Sequence, residues 1–258
     1  MIHPSSIIHP KAEIDSSVEI GPWCTVGPHV KIGKGTKLMS HVVIDGRTTL
    51  GESNTVFPFA VLGAVPQDLK YRGEDTQLVI GDRNTIRESV TMNLGTVQGG
   101  GITRLGSDSL VMAYCHLGHD TTVGNYCILA NSAALAGHVV LEDYVTVGGL
   151  SAISQFVRIG AHAYVTGFSG LDKDIPPYAI ATGTRPSVQL RGANIVGLRR
   201  RGYKAEVIQV INETIKLWAR ADVQKDQCLL EIESQYGEYP EVQSFIQFIK
   251  KSDQGVVR

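Results

Sequence analysis

The sequence predicts a mainly β protein: a parallel β-helix of hexapeptide repeats followed by a C-terminal α-helical domain. An aliphatic residue, commonly followed by glycine, recurs every six positions up to residue 171, and helical spacing replaces this pattern from about residue 192. A period of six fits neither the ~3.6-residue turn of an α-helix nor the alternation of a half-exposed strand. It is the repeat of a hexapeptide β-helix. We therefore assign residues 1–185 to the β-helix and residues 186–258 to the helical domain.

The hexapeptide repeat keeps its phase over residues 2–62, 80–92 and 105–171. Each hexapeptide supplies a short strand and a corner, three of them close a triangular coil of ~18 residues, and coils stack through parallel strands ~4.8 Å apart. We expect the aliphatic side chains to fill the interior, together with the small or β-branched residues four positions after them. Glycine and asparagine are expected to take the tight corner conformations.

Two interruptions of the repeat predict loops at about residues 63–79 and 93–104. A solenoid loses phase where it extrudes a loop, and loops on a rigid scaffold commonly carry function. The first loop contains VPQDLKYRGEDTQ, and the second is NLGTVQGGGITR, whose glycine run suits a mobile tip. A functional role and a tolerated insertion are both open for these loops at this point.

The C-terminal domain follows a proline-containing segment, DKDIPPYAIATGTRPS. Proline cannot donate a hydrogen bond to a β-ladder, so the repeat ends there. Two later segments, VIQVINETIKLW and PEVQSFIQFIKK, carry apolar residues at helical spacing. Their apolar stripes are Val207, Ile211, Ile215 and Trp218, and Val242, Phe245, Ile246 and Ile249. We expect three or four helices that cover an open end of the coil stack, where backbone groups would otherwise stay unpaired.

The composition argues against several classes of partner. The formal net charge is -1, so nothing global favours nucleic acid or a membrane surface. The opening MIHPSSIIHP has no basic stretch before an apolar run, and no segment approaches the ~20 consecutive apolar residues of a membrane span. We expect a soluble cytoplasmic protein without integral membrane association.

The sequence contains four cysteines, Cys24, Cys115, Cys127 and Cys228, and no CxxC pair. This spacing predicts free and mostly buried thiols.

The candidate functional residues lie in and after AYCHLGHDTTVGN, residues 113–125. His119 and His138 are nineteen residues apart, one coil plus one residue, so they are expected on neighbouring coils of one face. Gln155 lies two whole coils after His119, and Gly137 occupies the same column between them. A base, a glycine backbone and polar side chains are therefore predicted to converge on one strip of the β-helix, close to His116.

A metal site is one hypothesis for these histidines. Zinc takes about three protein ligands at ~2 Å plus a water, and hexapeptide proteins resembling gamma-type carbonic anhydrases supply three histidines, two of them five residues apart. His116 and His119 are three residues apart, and the position two coils after His119 is Gln155, a poor zinc ligand. We therefore expect no metal and no cofactor.

General base catalysis suits the same residues better. The neutral imidazole of His119 can take a proton from a hydroxyl group as its oxygen attacks a carbonyl. Asp120 can orient that imidazole, provided that a corner or twist brings neighbouring side chains together. The backbone N–H of Gly137 can donate to the resulting oxyanion. Direct acyl transfer without a covalent enzyme intermediate is the simplest reaction for this set.

Several segments together resemble the UDP-N-acetylglucosamine O-acyltransferases, which begin lipid A assembly in Gram-negative bacteria. These segments are LKYRGE, IGDRNTIRESVT, GTVQGGG, GHDTTVGN, ILANSAALAGHV, DIPPY and NIVGLRRRG. The resemblance runs over essentially the whole chain and includes both loops. It implies a homotrimer of left-handed β-helices with sites in the clefts between subunits. It also implies cytoplasmic transfer of an (R)-3-hydroxyacyl group from acyl carrier protein to the 3-hydroxyl of the sugar.

The resemblance also implies roles for individual residues. His119 would be the general base, Asp120 its partner and Gly137 the oxyanion donor. The implied substrate contacts are Gln67, Asp68, Lys70, His116, His138, Gln155, Gly167, Asn194, Arg200 and Arg201. Asp68 and Lys70 would hold the sugar and phosphates, and Asn194, Arg200 and Arg201 the nucleotide. Gly167 would set the acyl-chain length and favours a longer chain. A solvated helix end is the alternative explanation of the arginine cluster at this point.

Three departures from the family pattern leave the acceptor open. Asn93-Leu94 stands where the family usually has His-Arg, Ser154 where it has His, and Val196 where glutamate is common. The acceptor is therefore either UDP-N-acetylglucosamine or a close analogue such as a 3-amino sugar nucleotide. Two further hypotheses stay open for this fold: an acetyl-CoA-dependent nucleotide-sugar acetyltransferase and an inactive β-helix scaffold.

Overall fold

The computed structural model describes residues 1–258 and builds the first part of the chain from very short strands. In chain order the strands are β1 Ile7–Ile8, β2 Glu13–Ile14, β3 Glu19–Ile20, β4 Thr25–Val26, β5 Lys31–Ile32, β6 Lys37–Leu38, β7 Val43–Ile44, β8 Arg47–Leu50, β9 Thr55–Val56, β10 Val61–Ala64, β11 Gln77–Ile80, β12 Thr85–Ile86, β13 Thr91–Asn93, β14 Ile102–Leu105, β15 Leu110–Val111, β16 His116–Leu117, β17 Thr122–Val123, β18 Ile128–Leu129, β19 Ala134–Leu135, β20 Val140–Leu141, β21 Thr146–Val147, β22 Ala152–Ile153, β23 Arg158–Ile159, β24 Tyr164–Val165, β25 Gly170–Leu171, β26 Ala179–Thr182 and β27 Gln189–Ala193.

These strands form the three faces of the predicted prism. The sheet orders are β1-β4-β7-β10-β13-β16-β19-β22-β25, β2-β5-β8-β11-β14-β17-β20-β23 and β27-β26-β24-β21-β18-β15-β12-β9-β6-β3. Every third strand is therefore a neighbour in the same sheet, and every pairing before β27 is parallel; His116, for example, pairs with Ala134. The predicted parallel β-helix is confirmed.

The core follows the hexapeptide pattern. In β5 the first residue, Lys31, is exposed and the second, Ile32, is 3% exposed, and this outward and inward order recurs along the stack. Residues four positions after the aliphatic ones, such as Cys24 and Val30, are buried as predicted. The interior is thus a continuous apolar column, which is the main source of stability for a solenoid.

The expectation that glycine and asparagine take the tight corner conformations is wrong at most corners. Left-handed backbone occurs at 18 non-glycine residues, among them Trp23, Asp120 and Tyr144, and none of them is asparagine. Glycine is needed elsewhere: a Cβ on Gly21, just after an aliphatic residue, would lie 2.8 Å from the Met39 carbonyl oxygen of the next coil. The glycine of the repeat therefore permits close stacking of coils, while side-chain contacts between corners offset a left-handed strain of ~1–2 kcal/mol per residue.

Both interruptions of the repeat are shorter than the sequence suggests. The irregular segments are 65–76 and 94–101, and the second contains a 3₁₀ turn at Val97–Gly99. The difference arises because β10, β11 and β14 extend to four residues and β13 to three, and β11 pairs with β14 in full register. The two loops are thus anchored by continuous ladders on both sides.

The C-terminal part contains an antiparallel β26–β27 pair and four helices, which confirms the predicted number of three or four. They are α1 Ile195–Arg200, α2 Ala205–Trp218, α3 Lys225–Tyr236 and α4 Pro240–Lys250. The predicted stripe of α2 is buried at Ile211, Ile215 and Trp218. The indole N–H of Trp218 donates to the Val257 carbonyl oxygen at 2.8 Å, and Asp174 bridges Val256, so the chain end closes against the β-helix. None of the helices has both the length and the apolarity required to cross a bilayer.

The four cysteines are free and buried, as the sequence predicts. Burial raises the pKa of the Cys115 thiol to about 11 and that of Cys127 to about 12. A thiol held in its protonated form is a poor nucleophile and a poor metal ligand. The cysteines therefore contribute to packing.

Candidate active site

Three successive turns at one corner of the prism bring the candidate residues together. His119, Gly137 and Gln155 take the first position of these turns, and Asp120, His138 and Phe156 take the second. Backbone hydrogen bonds lock the coils in register, with His138 N–H donating to the His119 carbonyl oxygen at 2.9 Å. We call this edge the histidine corner (residues 119–120, 137–138 and 155–156). The column that the residue spacing predicts is observed.

His119 and Asp120 form a buried hydrogen-bonded pair. Nδ1 of His119 lies 2.8 Å from Oδ2 of Asp120, and the two residues are 8% and 6% exposed. Asp120 has a left-handed backbone with φ of 60°, which turns its side chain to the same side as that of its neighbour. The corner thus provides the change of direction that a flat strand could not. Because Nδ1 faces the carboxylate, the other ring nitrogen, Nε2, is left to act as a base.

The loop at 94–101 holds the carboxylate of Asp120. The backbone N–H of Thr96 donates to Oδ1 at 2.7 Å, and the Thr96 hydroxyl donates to Oδ2 at 2.6 Å. From the other side, the backbone N–H of Asp120 donates to Oγ1 of Thr103 at 2.8 Å. Sequence reasoning gave neither threonine a role. The only signal for Thr96 is its place in GTVQGGG, a segment that the family resemblance includes.

Gly137 lies directly against the imidazole of His119. A Cβ at this position would be 2.6 Å from both Cε1 and Nε2 of that ring, so only glycine leaves room for it. The backbone N–H of Gly137 donates no hydrogen bond within the chain. A free N–H beside a base is the arrangement that an oxyanion requires.

Two further histidines flank the pair. Nδ1 of His116 lies 2.8 Å from the Thr91 hydroxyl, and burial, with a smaller effect of His119, lowers the pKa of His116. The ring of His138 stands edge-on to that of His119, with centroids 5.0 Å apart, and stacks on Phe156 at 4.5 Å. Burial lowers the pKa of His138, although the negative charge of Asp120 acts in the opposite direction. Both imidazoles are therefore neutral near pH 7 and can accept or donate one hydrogen bond each.

A groove of about 340 Å³ opens beside these residues. Its polar and glycine lining consists of Gln67, Asn93, His116, Gly118, His119, Gly137 and Gln155, and its apolar floor of Ala134, Leu135, Ala136, Ala152 and Ile153. The loop at 65–76 contributes Gln67, and next to it Asp68 accepts from the backbone N–H of the exposed Lys70 at 2.9 Å. Asp68 and Lys70 do not line the groove. Asn93 donates to the Val65 carbonyl oxygen at 3.1 Å, which ties this loop to the β-helix.

Four predicted substrate contacts lie away from the groove. Asn194 caps α1, accepting from the backbone N–H of Gly197 at 3.1 Å, and donates to the His162 carbonyl oxygen. Arg201 lies over the ring of Tyr144 at 4.7 Å. Arg200 is exposed on α1, and Gly167 is exposed at a third corner, before β25. A single chain does not bring these residues to His119.

His119, Asp120 and His138 are the residues that could hold a metal ion, since their ligand atoms lie within 4.8 Å of one another. This set differs from the three histidines considered from the sequence, because a carboxylate replaces one imidazole. The same carboxylate already accepts hydrogen bonds from Thr96 and faces His119 Nδ1. The observed contacts are those of a candidate proton-transfer pair, in which an oriented imidazole lies beside a free backbone donor and a groove.

Comparisons with known proteins relate the chain to acyltransferases. Residues 102–137 match the bacterial transferase hexapeptide family, described as six repeats, and residues 174–257 match domain 2 of UDP-N-acetylglucosamine O-acyltransferase. LpxA from Acinetobacter baumannii is 44% identical, with a TM-score of 0.95 over 100% of this chain and 99% of that one. The UDP-N-acetylglucosamine acyltransferases of Bacteroides fragilis (39%, TM-score 0.96, 100% of both chains) and Francisella novicida (36%, TM-score 0.96, 100% and 94%) are similar throughout.

The fold and the site define an acyltransferase of the hexapeptide-repeat class, with a left-handed parallel β-helix and a C-terminal helical domain. Full-length identities well above 30% narrow this class further. The chain belongs to the UDP-N-acetylglucosamine O-acyltransferase family.

Proposed function

We propose that the protein transfers an (R)-3-hydroxyacyl group from acyl carrier protein to the 3-hydroxyl of UDP-N-acetylglucosamine, the first step of lipid A biosynthesis, in the cytoplasm. The observation that carries this proposal is the His119–Asp120 pair beside the free N–H of Gly137 in the groove. Membership of the family supports the choice of substrates, and the geometry of the groove supports the proposed proton transfer.

The reaction needs one base and no covalent enzyme intermediate. Nε2 of His119 takes the proton of the sugar 3-hydroxyl as the oxygen attacks the thioester carbonyl. Asp120 stabilises the imidazolium that forms and fixes the ring through Nδ1. The carbonyl oxygen, now negative, accepts from the N–H of Gly137. When the tetrahedral adduct collapses, the C–S bond breaks and the carrier thiolate takes the proton from His119.

A homotrimer explains where the remaining predicted contacts act. Arg201 and Gly167 lie at other corners, and Asn194 and Arg200 lie at the two ends of α1, so one chain cannot present them to a ligand at His119. A second subunit packed beside the groove would bring such residues to its open side and exclude water. Gln67 and Gln155 on the groove wall, with Asp68 and Lys70 on the adjoining loop, would contact the sugar nucleotide from the first subunit.

A 3-amino sugar nucleotide is the second candidate acceptor. Asn93 replaces the usual histidine of the family and lies in the groove wall, 3% exposed, with Oδ1 unpaired. Because this changed side chain lies so near the base, both acceptors should be tested: the sugar with a 3-hydroxyl and the sugar with a 3-amino group. The amine would give an amide product by the same steps.

The test is a transfer assay with purified protein, hydroxyacyl carrier proteins of several chain lengths, and UDP-N-acetylglucosamine or its 3-amino analogue. We expect His119→Ala to reduce the rate by ~10²–10⁴ because the base is lost. His29→Ala is a matched control, since His29 is exposed at the same corner in an earlier coil. Activity of His119→Ala within twofold of the unaltered protein would contradict the mechanism, and turnover of acetyl-CoA alone would contradict the donor.

A further inference from the structure

We propose that Thr96 is a positioning residue for catalysis and that the loop at 94–101 exists to orient Asp120. This inference rests on the proposed function, because it gives Thr96 a role only through the His119–Asp120 pair. The loop interrupts the repeat, yet it is not a free tip: Leu94, Gly95 and Thr96 are buried. The loop therefore belongs to the site although it does not line the groove.

Thr96 fixes both oxygens of one carboxylate. Its backbone N–H reaches Oδ1 of Asp120 and its hydroxyl reaches Oδ2, at 2.7 and 2.6 Å. Hydrogen bonds to an ionised acceptor are short and roughly twice as strong as neutral ones. Thr96 is 2% exposed and the side chain of Asp120 is 1% exposed, so water cannot replace either donor.

The rest of the loop is shaped to make this contact possible. A Cβ on Gly99 would lie 2.0 Å from Cγ of Asp120, so glycine is required where the loop closes over the carboxylate. The Thr96 carbonyl oxygen accepts from the backbone N–H of Gly101 at 2.7 Å, which closes the turn that carries the two donors. Within the glycine run, Gly99 permits this close packing, whereas Gly100 and Gly101 supply left-handed backbone, with φ of 91° and 82°.

The orientation matters because Asp120 has a second histidine within reach. Oδ2 lies 2.8 Å from Nδ1 of His119 but only 3.7 Å from Nε2 of His138. Without the Thr96 hydroxyl, the carboxylate can rotate towards His138 and lose its hydrogen bond to His119. The imidazole of His119 is then no longer held in place.

The experiment is the measurement of kcat and KM for transfer by Thr96→Val, which removes the hydroxyl but keeps the shape and the backbone donor. We expect kcat to fall about 10- to 100-fold, with KM within about twofold, because the base is misplaced and the groove is intact. Thr96→Ser restores kcat, because serine supplies the same hydroxyl. Thr76→Val is the matched control, since Thr76 is similarly buried but its hydroxyl has no hydrogen-bond partner.

The outcomes separate this inference from the proposed function. If Thr96→Val keeps kcat within twofold while His119→Ala is inactive, only the inference is wrong. If His119→Ala is active, the proposed function itself is wrong. An equal loss in Thr76→Val would show general damage to the loops and would also overturn the inference. Thermal melting checks the fold of each variant. Thr96→Ala, with the same expected loss of kcat, replaces Thr96→Val if the valine variant does not fold.

Discussion

At the scale of single residues, the site depends on contacts too close to tolerate one extra carbon atom. The imidazole of His119 rests on Gly137, and the carboxylate of Asp120 rests on Gly99. Residue spacing was sufficient to place His119 and Gly137 in one column, because they are 18 residues apart and one coil has ~18 residues. It could not show Thr96 beside Asp120, because no period governs an extruded loop.

Gly137→Ala tests the first of these contacts. The new Cβ would lie 2.6 Å from two ring atoms of His119, so the imidazole must move. We expect kcat to fall about 100-fold, the loss that a misplacement of ~1 Å produces, while the β-helix stays folded. Transfer kinetics and a thermal melt measure both. A variant that retains normal kcat would mean that His119 does not act from its observed position.

At the scale of elements, corner side chains join the β-helix to the helical domain. Tyr126, Tyr144, His162 and Tyr178 stack in one column, which we call the aromatic corner, with ring centroids 4.7–5.6 Å apart. Tyr203, which follows α1, places its hydroxyl 3.2 Å from Nε2 of His162. The sequence shows aromatic residues at these positions, but the stacking follows from the left-handed corner backbone, which was expected at glycine and asparagine instead.

At the aromatic corner, the contact between the β-helix and the helical domain is predicted to lose stability in acid. Burial, helped by the charge of Arg201, lowers the pKa of His162 to about 4 from an ordinary value near ~6.5. The folded protein keeps this ring neutral while the unfolded chain takes up a proton, so its contribution to stability is full above pH ~6.5 and is lost as the pH falls towards about 4.

His162→Phe checks this prediction, because phenylalanine keeps the stack and cannot titrate. Its melting temperature should be lower near pH 7, since the bond to Tyr203 is gone, but should fall less steeply than that of the unaltered protein between pH ~6.5 and ~4. Melting curves that shift in parallel over this window would refute the assignment of the acid sensitivity to His162.

At the scale of the whole molecule, the residues predicted to contact substrate lie on different edges of one chain. The groove lies at the histidine corner, whereas Arg201 lies on the aromatic corner over Tyr144 and Gly167 lies on the third corner. A closed assembly of three copies places different corners of neighbouring prisms side by side.

The homotrimer is therefore a prediction about activity as well as mass. Sedimentation equilibrium should give three times the mass of the chain. Mixing His119→Ala subunits with subunits altered to Ala at Arg200 and Arg201 should restore activity to some clefts, because each cleft would draw its base and its arginines from different copies. A monomer of full activity would contradict the shared site, as would mixed trimers no more active than either parent.

The sequence by itself determined the β-helix, its three-faced coil, the column of His119, Gly137 and Gln155, and the helical C-terminal domain. It did so because a strict period leaves the chain one way to bury its aliphatic residues. Only the tertiary structure decided which residues hold Asp120, which residues adopt left-handed corners, and that Asn194 caps a helix away from the groove. Those features depend on side chains that meet across coils and loops, where distance along the chain carries no information about distance in space.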